Sequence, residues 1–499
     1  MSLLRYRTSE TAAINSSPNS LHINIPVSLS SSSTSSPAST TSVSYTTSID
    51  SSYPTRKLFP NLSSSSTMAS KQDRLLVNDD GIASSTSAGR ITTSLLISAA
   101  LGSMGSAQYG YNIGCINLPQ KQLKQDFSLH DDPFTMPNAP MIVALFCIGG
   151  WIGSTLTPGI VDKWGRKLFL IQIQWLFVIG GALNIALGYF KDQHASAAYA
   201  TLLVSRVLFG LSSGAASVAV PMYLGEIASN DTKGAFGAIN QFQIVVWILV
   251  GQILGLGMSS SSLWPWMFAL TGFIAAVLII ISGPLMVESP RWLISKGRVD
   301  EARKALLLCR GYSEMDADAE IAEIEESQAA AASTSSAAPS ALSLLKDPVL
   351  RRPLFVAVML QLSQQFSGIN AVFFYSTSFF QAAFPNNSNI GTIGTIIIGA
   401  VNVIATAISI PLIERAGRKP LLLWAIGGML VMALALTGSL IGKEQDPSLA
   451  GPLAALSIVF VNLYVCFFEV GLGAIPWSIG GELFPEEPRA TAMCKYILI

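Results

Sequence analysis

From Ile91 onward the chain is divided into apolar stretches of at least 20 residues, one after another, with short polar joints between them. They run Ile91–Ile116, Met141–Ile160, Leu168–Phe190, Leu202–Tyr223, Ala235–Leu256, Trp266–Met286, Leu354–Phe380, Ile390–Ile413, Leu421–Ile441 and Pro452–Ile479. Each is long enough, as a helix, to cross ~30 Å of hydrocarbon. A soluble domain covers its surface with about 25% charged residues; here 12% are charged and 50% apolar. A soluble enzyme is thereby excluded, and the expectation is an all-α membrane protein with ten complete spans.

The polar remainder defines the other segments. Residues 1–90 are rich in Ser and Thr with no apolar periodicity, which predicts a disordered tail. The tail lacks the charged start and apolar core of a secretory signal peptide. Being Ser-rich and poor in acids, it shares features with transit peptides, so a plastid or vacuolar membrane stands as an alternative to the plasma membrane. Residues 287–352 form one long polar insert, in which Val299–Leu306 and Asp316–Glu326 read as short helices outside the bilayer. Of the 30 Lys and Arg, 25 fall on the tail's side of the membrane and four on the other, with Arg206 inside a span. Basic residues resist translocation, so the N-terminus and the insert should be cytosolic. Equal numbers of acids and bases, 30 each, give no reason to expect nucleic acid as a partner. Five scattered cysteines and three histidines predict neither a disulfide framework nor a metal site.

An internal repeat organises the spans. Asp162-Lys163-Trp164-Gly165-Arg166-Lys167 after the second span returns as Glu414-Arg415-Ala416-Gly417-Arg418-Lys419 after the eighth, and Glu226 has a counterpart in Glu482. Two motif pairs at nearly one offset predict two six-span halves, 91–286 and 353–499, joined by the insert 287–352. The first half closes with Glu288-Ser289-Pro290-Arg291, whose counterpart would fall beyond Ile499. Only the start of an eleventh span is therefore expected in this chain, with the second bundle incomplete.

With these residues in view the chain resembles the facilitative glucose transporters of the sugar porter family, in the major facilitator superfamily, shortened at its C-terminus. The likeness runs through Gln108-Tyr109-Gly110-Tyr111-Asn112, Pro119-Gln120-Lys121, Pro221-Met222-Tyr223-Leu224-Gly225-Glu226 and Glu288-Ser289-Pro290-Arg291-Trp292-Leu293. It continues through Gln361-Leu362-Ser363-Gln364-Gln365-Phe366-Ser367-Gly368-Ile369-Asn370 to Gly481-Glu482-Leu483-Phe484-Pro485. The sequence departs from the family pattern at Val287, Lys233, Leu472 and Ala474, and at Trp247, where a glycine is common. The resemblance implies the major facilitator fold, hexose transport by alternating access, no enzymatic activity, and no cofactor or metal.

The residues themselves suit a sugar. A hexose is neutral and covered in hydroxyls that donate and accept, so its site needs uncharged amides beside an apolar wall. Gln361, Gln364 and Gln365 stand at i, i+3 and i+4 on one face of the seventh span, and Gly368 can break that helix and redirect Asn370 to the same cavity. The competing explanation is that buried amides only join helices, at under ~1 kcal/mol each. Gln241, Ile244 and Ile248 form a helical stripe on the fifth span; the resemblance makes Gln241 a hydrogen-bonding partner of the sugar and the isoleucines its lining. It likewise assigns sugar contacts to Asn402 and Trp477, and an inner gate to the bend near Gly471, Gly473 and Pro476.

Arg206 and Glu469 are the ionisable groups well inside spans; they should face protein or water and are grouped with the gating charges. The resemblance groups Asp162, Arg166, Glu226, Glu414, Arg418 and Glu482 into a cytosolic salt-bridge cluster that parts on inward opening. Proton-coupled relatives carry an aspartate where this chain has Asn112, which implies uniport. A proton-coupled symporter and a non-transporting sugar sensor remain the alternatives. Asn386-Asn387-Ser388 is a glycosylation sequon in an outer loop, while Asn15, Asn61 and Asn230 fall on the cytosolic side. The partners expected are a hexose and the lipid bilayer; nothing in the sequence addresses the oligomeric state.

Overall fold

The repeated Gly-Arg-Lys motif does the same mechanical work twice. A computed structural model describes residues 90–130, 137–229, 232–334, 348–384 and 388–476. In it Gly165 (φ 94°, ψ 164°) separates α3 (Ala139–Trp164) from α4 (Arg166–Gln172). Gly417 (φ 82°, ψ 157°) likewise separates α14 (Ser388–Ala416) from α15 (Arg418–Gln445). This corner of backbone space is open to glycine alone. The recurrence is thus structural as well as textual.

The first half holds α1 (Thr93–Gly114), α2 (Gln120–Phe127), α3, α4, α5 (Gln174–Phe190), α6 (Ala195–Ile227), α7 (Lys233–Met258) and α8 (Trp264–Leu285). Its helices approach closely where small residues recur. Gly149 and Gly153 on α3 and Gly210 and Gly214 on α6 lie against each other's backbones, leaving no room for a Cβ. Gly110 and Gly114 on α1 do the same against Ile244 and Ile248 of α7. Four-residue spacing puts both glycines on one helical face, and close approach is how helices associate where hydrocarbon offers no hydrophobic drive.

The insert contributes α9 (Pro290–Ser295), α10 (Val299–Arg310) and α11 (Glu314–Thr334). The two expected linker helices are therefore present, each longer than the sequence indicated. They share a small core of Trp292, Leu293, Leu306, Ile321 and Ile324. The linker is tied to the first half: Thr92 Oγ1 donates to the Leu308 carbonyl at 2.7 Å, Arg310 Nη2 to that of Ala228 at 3.0 Å, and Trp292 Nε1 to that of Asp162 at 3.0 Å. Glu288 Oε1 accepts the backbone N–H groups of Arg166 and Lys167 at 2.9 and 3.0 Å, capping α4.

The second half holds α12 (Pro348–Phe366), α13 (Ile369–Ala383), α14, α15 and α16 (Ala450–Phe468), the last running into a π-helical turn at Glu469–Gly473. Among the described residues eight helices are long and apolar enough to cross a membrane. Two of the ten expected spans are absent from that set for identifiable reasons. The first is the helix α1, whose apolar run is diluted by Ser98, Ser103, Ser106, Gln108 and Asn112, all buried. The seventh is broken at Gly368 (φ 80°) into α12 and α13, as its glycine predicted. The Tyr464 hydroxyl donates to the Ser367 carbonyl, meeting a backbone group freed by the break.

Apolar surface faces outward. Arg418–Lys443 has a mean hydropathy of 2.1, yet only 17% of its most apolar stretch is buried. Trp424 is 77% exposed and Leu434 65%. Surface of this kind is stable in lipid and not in water.

One element was not anticipated. The eight-residue α2 lies between the first two spans and is held by Asp126, whose Oδ2 accepts from Ser261 Oγ and Trp264 Nε1, both at 2.8 Å, with Lys191 Nζ at 3.4 Å. The charge run of this loop carries too little apolar periodicity to announce a helix.

Candidate functional site

The two halves meet over two neighbouring cavities with lining residues in common. The smaller, of 60 Å³, is lined by Gln241, Ile244 and Ile248 of α7, by Gln364, Gln365 and Asn370 beside the helix break, and by Tyr109 and Glu469. The larger, of 330 Å³, shares Tyr109, Gln365 and Asn370, adds Gln361, and continues along α3 and α6 past Phe146, Trp151 and Ser213. The shared wall makes them one site, and the larger part reaches the size range of small-ligand pockets, about 300–1,000 Å³.

The three amides of the seventh span divide their duties. Gln364 is buried and donates to the Leu472 carbonyl of the π turn at 2.8 Å, so it does join helices. Gln365 is exposed, and its Oε1 accepts from Asn370 Nδ2 at 2.9 Å. Gln361 faces the larger cavity. Gly368 does redirect Asn370 toward the same space.

Glu469 belongs to this site. The sequence reading grouped it with gating charges. Its carboxylate instead lines the smaller cavity, where Oε2 accepts from Gln241 Nε2 at 3.3 Å and Thr406 Oγ1 at 3.0 Å. Gln241 lies in the first half and Glu469 in the second, so this bond crosses between them. Glu469 opens the π turn and is still placed by α16, its backbone N–H bonding to the Val465 carbonyl. Tyr109, Phe146 and Phe374 were also missed as lining; the Gln108-Tyr109-Gly110 motif was the available signal for the first.

Arg206 was grouped with the same charges, but its partners are not acidic. It donates to the carbonyls of Ile142 and Asn112, both at 3.3 Å, and to Asn112 Oδ1 at 3.4 Å. Its guanidinium lies 4.6 Å from the centre of the Phe146 ring. Among the described residues no carboxylate pairs with it. Carbonyls, an amide and an aromatic face hold a buried cation here in place of an acid.

Of the cytosolic cluster, Arg166 pairs with Glu226 at 2.8 Å and Asp162 at 3.3 Å, all within the first half. Arg418 Nη1 donates to the Ile413 carbonyl at 3.4 Å. The Glu414 side chain, Glu482, Trp477 and the sequon at Asn386 lie outside the described residues. Asn402 is buried on α14 and lines neither cavity. Trp247 also stays off both walls and packs edge-on against Tyr111, with ring centres 6.5 Å apart.

Helical spans in two repeated bundles, meeting at an amide-lined cavity, define a membrane transporter of the major facilitator type. The chain belongs to the sugar (and other) transporter family, whose sequence profile matches residues 98–495. It is 40% identical over 421 residues to solute carrier family 2, facilitated glucose transporter member 4 of Mus musculus, covering 81% of this chain and 79% of that one. It is 36% identical to facilitated glucose transporter member 3 of Rattus norvegicus, with coverage of 81% on both sides. The fold is shared with the proton:xylose symporter XylE bound to 6-bromo-6-deoxy-D-glucose, at a TM-score of 0.68 and 23% identity over 81% of this chain and 86% of that one. It is also shared with the partially occluded inward open conformation of XylE from E. coli, at a TM-score of 0.64 and 22% identity over 81% and 91%. These relatives are transporters and not enzymes.

Proposed function

We propose that this chain carries D-glucose or a related hexose across the plasma membrane by alternating access, as facilitated diffusion. The observation that carries this reading is the wall of the smaller cavity, where Gln241, Gln365 and Asn370 stand beside Ile244 and Ile248. Each amide donates and accepts, as each sugar hydroxyl does, and the aliphatic side chains suit the ring's apolar faces. Glu469 has acceptor capacity beyond Gln241 and Thr406 and accepts a further hydrogen bond from a sugar hydroxyl in this reading. Trp477, directly after the last described residue, is assigned to the same site by the family resemblance.

Among the described residues the hydrogen bonds between the halves, apart from Gln241–Glu469 at the cavity, gather at one end. Asn117 Nδ2 donates to the Phe373 carbonyl at 2.8 Å and Ser376 Oγ at 2.6 Å, and Ser378 Oγ to Gln120 Oε1 at 3.2 Å. These contacts support a state closed on the Asn117 side, which the distribution of Lys and Arg makes extracellular. The N-terminus and the linker then face the cytosol, and the ion pairs of Asp162, Arg166 and Glu226 occupy the inner surface, where Glu414, Arg418 and Glu482 would complete the gate.

The test is uptake of labelled glucose by cells that lack hexose transporters of their own and express this protein. Saturable uptake that stops at the external concentration is expected. Sugar binding without uptake would overturn transport and leave a sensor.

A further inference from the structure

The seventh span is broken between two of the cavity amides, and a break frees backbone groups that a continuous helix would bond. Several are met from within the segment. The Gly368 N–H donates to the Gln365 carbonyl at 3.5 Å. Ser367 Oγ donates to the Gln364 carbonyl at 2.6 Å and accepts from the Ile369 N–H at 3.3 Å. The Ser367 carbonyl is served differently. In an unbroken helix it would accept from Ala371, but that N–H bonds to the Gly368 carbonyl at 3.0 Å. Its hydrogen bond comes from another helix, donated by the Tyr464 hydroxyl of α16.

The same stretch of chain meets the seventh span at three levels. Tyr464 bonds the Ser367 carbonyl, Phe468 lines the smaller cavity beside Gln365 and Asn370, and the Leu472 carbonyl accepts from Gln364. Gln364 belongs to α12, so Leu472 holds the helix before the break, whereas Tyr464 holds the corner itself. That corner sets how α13 leaves α12. One bond spans it, from Asn370 Nδ2 on α13 to Gln365 Oε1 on α12 at 2.9 Å. Such a bond survives a shift of only a few tenths of an ångström. The half-buried Tyr464 ring packs on the main core, where a phenylalanine would serve as well. The hydroxyl is the part that packing does not require, and its partner is the break.

We infer that Tyr464 is a positioning residue for hexose binding, its hydroxyl fixing the corner so that Gln365 and Asn370 keep one spacing. This rests on the transport reading above. Tyr464 lines neither cavity, so it acts through the Ser367 carbonyl and not on the sugar. A hexose carries its hydroxyls at spacings fixed by the ring. Two amides already held at a matching spacing bind it without the cost of being ordered.

Tyr464→Phe keeps the ring and removes the hydroxyl, and labelled-hexose uptake is measured in sealed vesicles per folded protein. Half-saturation should rise about fivefold, the effect of one hydrogen bond, with no fall in the maximal rate. A purely structural role would lower the amount of folded protein or the maximal rate and leave half-saturation alone. In a Gln365→Leu background the same substitution should change half-saturation less than about twofold, because the pair it positions is already gone. Tyr464→Met also lacks the hydroxyl and adapts its shape, so it repeats the test should the phenylalanine variant not fold. An unchanged half-saturation, or a full fivefold rise repeated on Gln365→Leu, would overturn the positioning role. Absence of hexose uptake by the parent protein would instead remove the transport reading, and is seen before any variant is made.

Discussion

Gln364 commits its amide N–H to the Leu472 carbonyl, whereas its neighbour Gln365 is exposed to the cavity and meets Asn370 there. Removing each amide therefore has different consequences. Gln365→Leu should weaken hexose affinity about fivefold, equivalent to one hydrogen bond of ~1 kcal/mol, with the melting temperature unchanged. Gln364→Leu should lower both affinity and melting temperature, because it leaves a buried carbonyl unmet at a cost of ~1–3 kcal/mol. Uptake kinetics and thermal unfolding of the two purified variants, compared side by side, check this. If neither variant changes uptake, the amides serve helix joining alone.

Among the elements, α2 owes its place to one carboxylate. Burial would raise the Asp126 pKa, but hydrogen bonds from Trp264, Gln122 and Ser261 and the charge of Lys191 outweigh it and hold the group below the usual carboxylate value. A folded pKa below the unfolded one contributes stability above the unfolded value, and that contribution is lost as pH falls through the folded value. Asp126→Asn should therefore melt at a lower temperature than the parent protein at pH 7. The difference should shrink as the medium is acidified below the ordinary carboxylate range. Melting curves in detergent across pH measure this; a gap that stays constant into strong acid would show that the charge of Asp126 is not what holds α2.

At the scale of the whole molecule the question is whether transport is coupled to protons. A symporter needs a titratable group in the path whose charge differs between the two open states. The position on α1 beside Arg206 is Asn112, whose Nδ2 donates to the Gln108 carbonyl at 2.9 Å. An amide does not titrate at physiological pH, and arginine stays charged. Glu469 is held by donors from both halves, Gln241 and Thr406. Hexose influx into de-energised cells should accordingly leave the external pH unchanged and resist a protonophore. Alkalinisation of the medium with sugar, abolished by the protonophore, would refute uniport.

The all-helical membrane class and the order of the apolar helices were legible in the sequence because crossing hydrocarbon depends on run length, a strictly local property. So was the break at Gly368, since a left-handed backbone strongly favours glycine wherever the helices later pack, whereas Gly165 and Gly417 were legible only as a repeated motif. The amides of the seventh span could be placed on one face by their spacing, and the cavity does hold Gln365 and Asn370. Their individual duties could not be read, because whether Gln364 faces a ligand or the Leu472 carbonyl depends on a helix more than 100 residues away. Glu469 could be placed inside a span, but spacing could not announce that its carboxylate meets Gln241 of the other half. Asp126, Arg206 and Tyr464 likewise take their meaning from groups distant in sequence. Helical periodicity and glycine are settled within a few residues of chain, whereas a buried polar group is satisfied or left unmet only by the neighbours that packing brings to it, and those the tertiary structure alone decides.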